Sequence, residues 1–287
     1  TAQAYYEWTD SLTPVPYDGH AFFGRDAMAN YFIIGSKQLG AEIFSVENGK
    51  ATLNFEREIA KKLWDHYYTP FVHGYFSASG RFRSDDIKTG HLISFVGSSS
   101  GATFFPKEVI LSDSQRYPID MLALPCPQFE GGEKVAVQQG AGMVVTKTDE
   151  QQILASVEFL KWFTQDERNI QFSVSSGYLP VTKAANDIDK IHADLSDSKR
   201  IAPILSVSID TVKNNTLYTT RAFANGTKAR AILEHSLSDQ AAADRQTVLT
   251  ELAVGKTLAQ ATAAFDSEEN FDAWYQDITE RLKLLMK

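Results

Sequence analysis

Gly97-Ser98-Ser99-Ser100-Gly101 has the spacing in which a serine between glycines can act as a nucleophile. In such a GxSxG elbow the glycines permit a sharp strand-to-helix turn that exposes the serine hydroxyl, and His91 to Val96 reads as the strand that should precede it. A serine hydrolase also needs an acid and a histidine downstream. Only His192 and His235 follow, no HGGG-like oxyanion segment lies upstream, and Pro106 interrupts the helix that should leave the elbow. The same hydroxyls and backbone N–H groups can do something simpler: hydrogen-bond the hydroxyl or phosphate oxygens of a small ligand without reacting.

Other groups suit that gentler chemistry. In FFGRDAMANYF, Asp26 and Asn30 can exchange hydrogen bonds with ligand hydroxyls, with Tyr31 or Phe23 as a stacking face; the alternative is an Arg25–Asp26 surface ion pair above core aromatics. Arg221, in TTRAFANG, carries a guanidinium that could grip an anionic group in bidentate fashion, or it is simply exposed. Gly255-Lys256-Thr257 mimics the end of a P-loop but has no glycine five residues earlier, so it reads as a helix start. The six histidines show no metal spacing, and the single Cys126 excludes an internal disulfide and a CxxC site. No cofactor or metal is expected.

The elements that must position these groups can be read in order from Gly140 to Ala185. Gly140 and Gly142 leave backbone uncovered beside an apolar run, Met143 to Val145, expected to be a strand. Thr148 then serves as a helix N-cap with Gln151 in the capping-box position, and Ile153, Leu154, Val157 and Leu160 recur at helical spacing. Asp166 caps a second helix, which Gly177 closes in a left-handed conformation before Tyr178-Leu179-Pro180. Elsewhere the spacing predicts helices over Ala2 to Leu12, with Tyr5, Trp8 and Leu12 on one face, over Met28 to Leu39, over Phe55 to Tyr68 capped by Asn54, over Ala202 to Asn214 and over Thr227 to Leu237. Thr257 with Gln260 forms a last capping box. Strands are expected at Ala51 to Asn54, after the turn at Asn48-Gly49, and at Ile119 to Ala123. Helices and strands mixed with short connections indicate an α/β fold.

The order of glycine-rich strand, FLKWFT helix and GYLPVTKAA turn resembles one segment of the family 1 extracellular solute-binding proteins, the carbohydrate and glycerol-phosphate receptors of ABC importers. SDDIKTGHLISFVGSSSGA and YPIDMLALPCPQFEGGEK extend the likeness. The resemblance implies a periplasmic-binding-protein-like type II fold, mainly its second lobe, built from residues 1–124 and 181–287. The segment 125–180 would return to the first lobe, most of which lies outside this sequence. It further implies a non-enzymatic receptor that encloses a sugar, oligosaccharide or polyol phosphate, contacted by Asp26, Asn30, Tyr31, Ser98, Ser99, Gly140, Gly142, Tyr178 and Arg221. Its partners would be ABC permease subunits, and its place extracytoplasmic, either periplasmic or as a cell-surface lipoprotein. The signal segment and lipid-anchor cysteine are expected on sequence not included here.

Composition agrees with a receptor. The 287 residues can bury a sizeable core, and 28 basic against 36 acidic residues give a net charge of −8, with the basic ones scattered rather than striped. That distribution argues against nucleic acid, and no apolar run approaches the roughly 18 residues of a membrane span.

Overall fold

The computed structural model describes residues 1–194 and 200–286. Helix α1 (Ala2–Asp10) starts at Thr1, whose hydroxyl accepts from the Ala4 N–H at 3.1 Å. Its buried residue is Tyr6, which packs edge-on against Tyr75 and donates its hydroxyl to the Tyr17 carbonyl, whereas Trp8 and Leu12 are exposed. The face differs from the expected Tyr5-Trp8-Leu12 stripe because the hydrogen-bonded phenol, not the apolar moment, sets the helix rotation.

Strand β1 (Phe23–Arg25) leads into α2 (Met28–Gln38), and a hairpin follows, β2 (Phe44–Glu47) with β3 (Lys50–Leu53). Asn48 and Gly49 take φ of 49° and 77° in its two-residue turn, the backbone that matches the twist of the flanking strands. The expected long helix after it is two: α3 (Arg57–Asp65) and α4 (Tyr68–Val72). Pro70 has no N–H to give, and its ring would clash with the His66 carbonyl in a continuous helix. Asn54 is not the cap of α3; its amide donates to the Ser45 hydroxyl at 2.6 Å and ties the hairpin instead.

Helix α5 (Arg83–Lys88) precedes β4 (Ser94–Val96), which pairs parallel with β1, Phe23 beside Ser94 and Arg25 beside Val96. After a 3-10 turn at Ser100–Phe104 come β5 (Glu108–Ile110) and β6 (Arg116–Pro118), an antiparallel pair. The strand expected at Ile119 to Ala123 does not form: Ile119 N–H makes a last bond to the Lys107 carbonyl, and β5 offers no further edge. Strand β7 (Val135–Val137) then pairs parallel with a distant strand, Thr216–Tyr218. The run Met143 to Val145 is irregular, with Val144 86% exposed, since no neighbouring strand reaches it to satisfy a ladder.

Helix α6 (Glu150–Phe163) is capped one residue later than expected, by Asp149 accepting from Gln152 N–H at 2.9 Å. Helix α7 (Asp166–Ser176) is closed by Gly177 at φ 73°, as its sequence suggests, but Asp166 lies inside it and receives the Thr182 hydroxyl. Then follow α8 (Ile188–Asp194), α9 (Ala202–Asn214), β8 (Thr216–Tyr218), α10 (Gly226–Ala253), α11 (Leu258–Thr262) and α12 (Glu268–Leu285). Helix α10 runs far beyond Leu237 because no glycine or proline breaks it before Gly255 and its apolar stripe continues through Ala241 and Val248. The Thr257–Gln260 capping box is formed in both directions, at 2.9 and 3.3 Å.

The main core unites α2, α3, α4, α10 and α12 around an aromatic cluster, with Trp64 stacked on Tyr68 at 3.7 Å and flanked by Phe271 and Trp274. Leu233, Leu237, Phe271, Ile278 and Leu282 are all fully buried, each contributing roughly 1.5–3 kcal/mol of transfer free energy. A smaller core joins Ile170 of α7 to Ala185, Ile191, Leu205 and Ile209 across α8 and α9. Helix α6 buries none of its residues; Leu154, Phe159 and Trp162 of its apolar face are about half exposed. The fold is α/β.

Candidate functional site

Both parallel strand pairs end beside the first turn of α2. Asp26 N–H donates to the Val96 carbonyl at 2.9 Å, which holds the exits of β1 and β4 together, and Gln138 N–H donates to Tyr218 at 2.9 Å, which does the same for β7 and β8. Asn30, one turn into α2, joins the two exits by donating to Gln139 Oε1 at 2.8 Å. In α/β folds the crevice beyond the carboxyl ends of strands is where ligands bind, because loops of different origin converge there.

Helix α2 begins in an unusual way. Ala27 adopts φ 56° and has no side chain to cap with, and Glu234 of α10 does the work from 206 residues away, accepting from Met28 and Ala29 N–H groups at 3.1 and 2.8 Å. The positive end of α2 is thereby neutralised by the protein's own carboxylate. Arg230, one turn before Glu234, donates to Asn30 Oδ1 at 2.8 Å, so both ends of the Asn30 amide are engaged.

Asp26 is not paired with Arg25. Its Oδ1 accepts from the Arg83 backbone N–H at 3.2 Å and lies 3.4 Å from Arg83 Nε, while the fully buried Asp86 takes the other side of the Arg83 guanidinium at 2.7 Å. Burial raises the Asp26 pKa above its ordinary value, and the Arg83 hydrogen bond and charge only partly oppose that push. Its Oδ2 lies 3.5 Å from where a β-carbon on Gly97 would sit, so the carboxylate backs the serine loop directly. Arg25 instead lays its guanidinium 4.8 Å from the centre of the Tyr31 ring. Tyr31 belongs to the core: it is 7% exposed, its hydroxyl donates to the Leu63 carbonyl at 2.7 Å, and burial lifts its pKa strongly.

The serine loop meets the tyrosine turn. Ser98 Oγ accepts from Gly101 N–H at 3.0 Å and lies 3.2 Å from Ser100 Oγ, folding the loop on itself. A β-carbon on Gly177 would fall 2.7 Å from the Ser99 carbonyl oxygen and 3.0 Å from Ser100 Cα, so only glycine lets these backbones approach so closely. Tyr178 follows, 37% exposed, its ring stacked on Phe172 at 6.3 Å. The structure thus brings Ser98, Ser99 and Tyr178 together and places Asp26 behind them, with Asn30 in the neighbouring exit. Gly140 and Gly142 have open space around them, and Arg221 is exposed with no hydrogen bond or ion pair among the described residues.

As a hydrolase the loop lacks its partners among the described residues. No histidine hydrogen-bonds Ser98, Ser99 or Ser100, and the elbow runs into a 3-10 turn that Phe105 ends before Pro106. His235 is exposed on α10 beside Asp239, and the side chain of His192 lies outside the described residues. No group of three or more potential metal ligands occurs among the described residues, and no helix there is long and apolar enough to cross a membrane. Sequence reasoning missed Glu234, Arg230, Gln139 and Arg83. The last could have been suspected from its spacing, an arginine three residues before an aspartate at the start of a helix.

Residues 1–196 match the family of bacterial extracellular solute-binding proteins. Among solved structures, the chain is similar to a cyclic α-maltosyl-1,6-maltose binding protein from Arthrobacter globiformis, with a TM-score of 0.60 at 15% identity, covering 99% of this chain and 64% of that one. It is likewise similar to UgpB from Mycobacterium tuberculosis, solved in complex with glycerophosphocholine, with a TM-score of 0.59 at 20% identity, covering 100% of this chain and 64% of that one. The chain therefore spans just under two thirds of the length of each. None of the curated proteins compared matches it.

Proposed function

The chain belongs to the bacterial extracellular solute-binding proteins, and from that membership we propose that it serves as the binding subunit of an ABC importer, holding a sugar, oligosaccharide or polyol phosphate for delivery to permease subunits. The observation that carries the reading is the packing of the Ser99–Ser100 backbone on Gly177. That contact joins a hydroxyl-rich loop to a half-open tyrosine, a combination able to hydrogen-bond hydroxyls and cover a ring face at once. Ser98, Ser99 and Tyr178 form the wall of the site. Asp26 and Asn30 lie behind it, Gly140 and Gly142 leave backbone groups open across the exit of β7, and Arg221 is available to an anionic substituent. Tyr31 acts from beneath, as the surface on which Arg25 rests.

In this reading residues 1–124 and 181–287 form the second lobe and 125–180 the segment returning to the first, the small core of α7, α8 and α9 being where the two portions meet. Its place is extracytoplasmic, with anchoring through a lipid or through the permease. The loop binds and does not cleave, so a fluorophosphonate should leave Ser99 unlabelled.

Titration with maltose and with glycerol-3-phosphate, followed by NMR so that millimolar constants are readable, tests the proposal. One of them should bind, and Tyr178→Ala should weaken it about tenfold, the value of a lost stacking and hydrogen-bonding contact. Binding indifferent to both Tyr178→Ala and Ser98→Ala would show that this wall is not the site.

A further inference from the structure

The cluster of Arg83, Asp86 and Asp26 leaves one acceptor open at the edge of the serine loop. The Arg83 side chain, 5% exposed, is held on every side: Nη1 meets Asp86 Oδ2 at 2.7 Å, Nη2 donates to the Gly80 carbonyl, and Nε lies 3.4 Å from Asp26 Oδ1. Asp86 is as thoroughly engaged, its Oδ1 accepting from Gly80 N–H at 2.6 Å and its Oδ2 from Ser79 N–H at 3.3 Å. Asp26 Oδ1 takes the Arg83 backbone N–H at 3.2 Å. Of the four carboxylate oxygens in the cluster, Asp26 Oδ2 alone has no hydrogen bond among the described residues, and its side chain is 26% exposed against 2% for Asp86.

That free oxygen is beside the proposed site. It lies 3.5 Å from where a β-carbon on Gly97 would sit, next to the exposed Ser98, and with glycine at 97 no side chain of that residue covers it. Two donors of one arginine, the backbone N–H and Nε, bear on Oδ1, so the carboxyl is fixed with its other oxygen turned away from Arg83.

Charge sets what this oxygen can accept. The charged groups acting on Asp26 are Arg83 and Asp86, both on α5, and one cation between two carboxylates leaves the cluster with a net negative charge. Arg25 lays its guanidinium over the Tyr31 ring, Glu234 accepts from the start of α2, and Arg230 donates to Asn30. An ionised carboxylate is an acceptor only, so it welcomes a hydroxyl and repels an anionic oxygen. The short chain of glycerol-3-phosphate cannot put a hydroxyl there without bringing its dianion up beside the carboxylate.

We propose that Asp26 Oδ2 is the specificity-determining acceptor of the site, with Arg83 as its positioning residue, so that the solute is a neutral sugar and not a polyol phosphate. This rests on the receptor reading above, and adds the class of solute and the groups that select it. A sugar hydroxyl donates to Oδ2 while Ser98, Ser99 and Tyr178 hold the rest of the ring.

The test uses maltose and glycerol-3-phosphate as probes in NMR titrations of the whole chain. Maltose should bind at least about tenfold tighter than glycerol-3-phosphate, the worth of a charge-assisted bond over a repelled anion. A hydroxyl donating to the ionised carboxyl favours that form, so saturating maltose should lower the Asp26 midpoint, by about one pH unit for a tenfold preference. Asp26→Asn must turn its amide oxygen to the Arg83 donors, leaving an N–H donor where Oδ2 stood; it should weaken maltose about tenfold and strengthen glycerol-3-phosphate. Arg83→Lys keeps the buried charge but loses the fork, so it should weaken maltose several-fold, and in the Asp26→Asn background it should weaken maltose no further. Tighter binding of glycerol-3-phosphate than of maltose, no binding of maltose, a midpoint that maltose leaves in place or raises, or maltose affinity unmoved in Asp26→Asn would each overturn the inference. Additive losses in Arg83→Lys and Asp26→Asn would refute the positioning role. The receptor reading fails separately, through indifference to Tyr178→Ala and Ser98→Ala, so glycerol-3-phosphate bound at the serine wall in preference to maltose sinks this inference alone.

Discussion

Gly177→Ala isolates the contact that assembles the site. An alanine there must hold φ near 73°, which costs an L-residue about 1 kcal/mol in the left-handed region. It must also place a methyl group 2.7 Å from the Ser99 carbonyl oxygen, 3.0 Å from Ser100 Cα and 3.2 Å from Ser99 carbonyl carbon. All three are backbone atoms, so no side chain can swing aside, and overpacking of this kind costs roughly 1–3 kcal/mol more. The internal control is Gly255, which has φ of 92° and nothing within 4 Å of its added methyl. Gly255→Ala should therefore show the conformational cost alone, about 1 kcal/mol. Urea unfolding at 25 °C, followed by far-UV circular dichroism, should place the Gly177→Ala midpoint below that of Gly255→Ala by an amount equivalent to about 1–3 kcal/mol. Equal losses in the two variants would mean that the serine loop does not rest on Gly177, and the site as drawn would come apart.

Glu234→Ala strips two N–H groups of α2 of their acceptor and should lower stability by about 1–2 kcal/mol in the same assay, whereas an unchanged midpoint would show that the cap is dispensable. Tyr31→Phe removes the bond to the Leu63 carbonyl and should cost about 1 kcal/mol while leaving sugar affinity unchanged; a loss of affinity at normal stability would move Tyr31 from the core into the site. Asp26 titrates above its ordinary 3.8 because burial disfavours its charge, so the stability it lends is full below that value and falls away as pH rises through the lifted pKa. Carboxyl-carbon NMR should give an Asp26 midpoint above 3.8, and Asp26→Asn should flatten the decline of stability across that acid window; a midpoint at or below 3.8 contradicts the burial argument.

What the sequence disclosed depended on the range of the interaction involved. The turn at Asn48-Gly49, the Thr257–Gln260 box and the left-handed Gly177 are each specified within four residues, and each formed as read. The strands over Met143 to Val145 and Ile119 to Ala123 did not, because a strand exists only where another edge pairs with it, and apolar composition cannot reveal that edge. The division at Phe55 to Tyr68 was legible, since Pro70 announces it, but the apolar periodicity running through the segment masks the break.

The site divides along the same line. Asp26 and Asn30 are recognisable as polar groups near a helix start, yet their roles come from Arg83, Arg230 and Gln139, which approach from 57, 200 and 109 residues away. Local sequence suggests that Arg25 should pair with Asp26, its neighbour. Successive residues of a strand point to opposite faces, so Arg25 and Asp26 leave β1 in different directions, one onto the rings of Tyr31 and Phe23, the other onto Arg83. That divergence separates the Arg25 guanidinium from its obvious counter-ion, a separation that adjacency in sequence conceals.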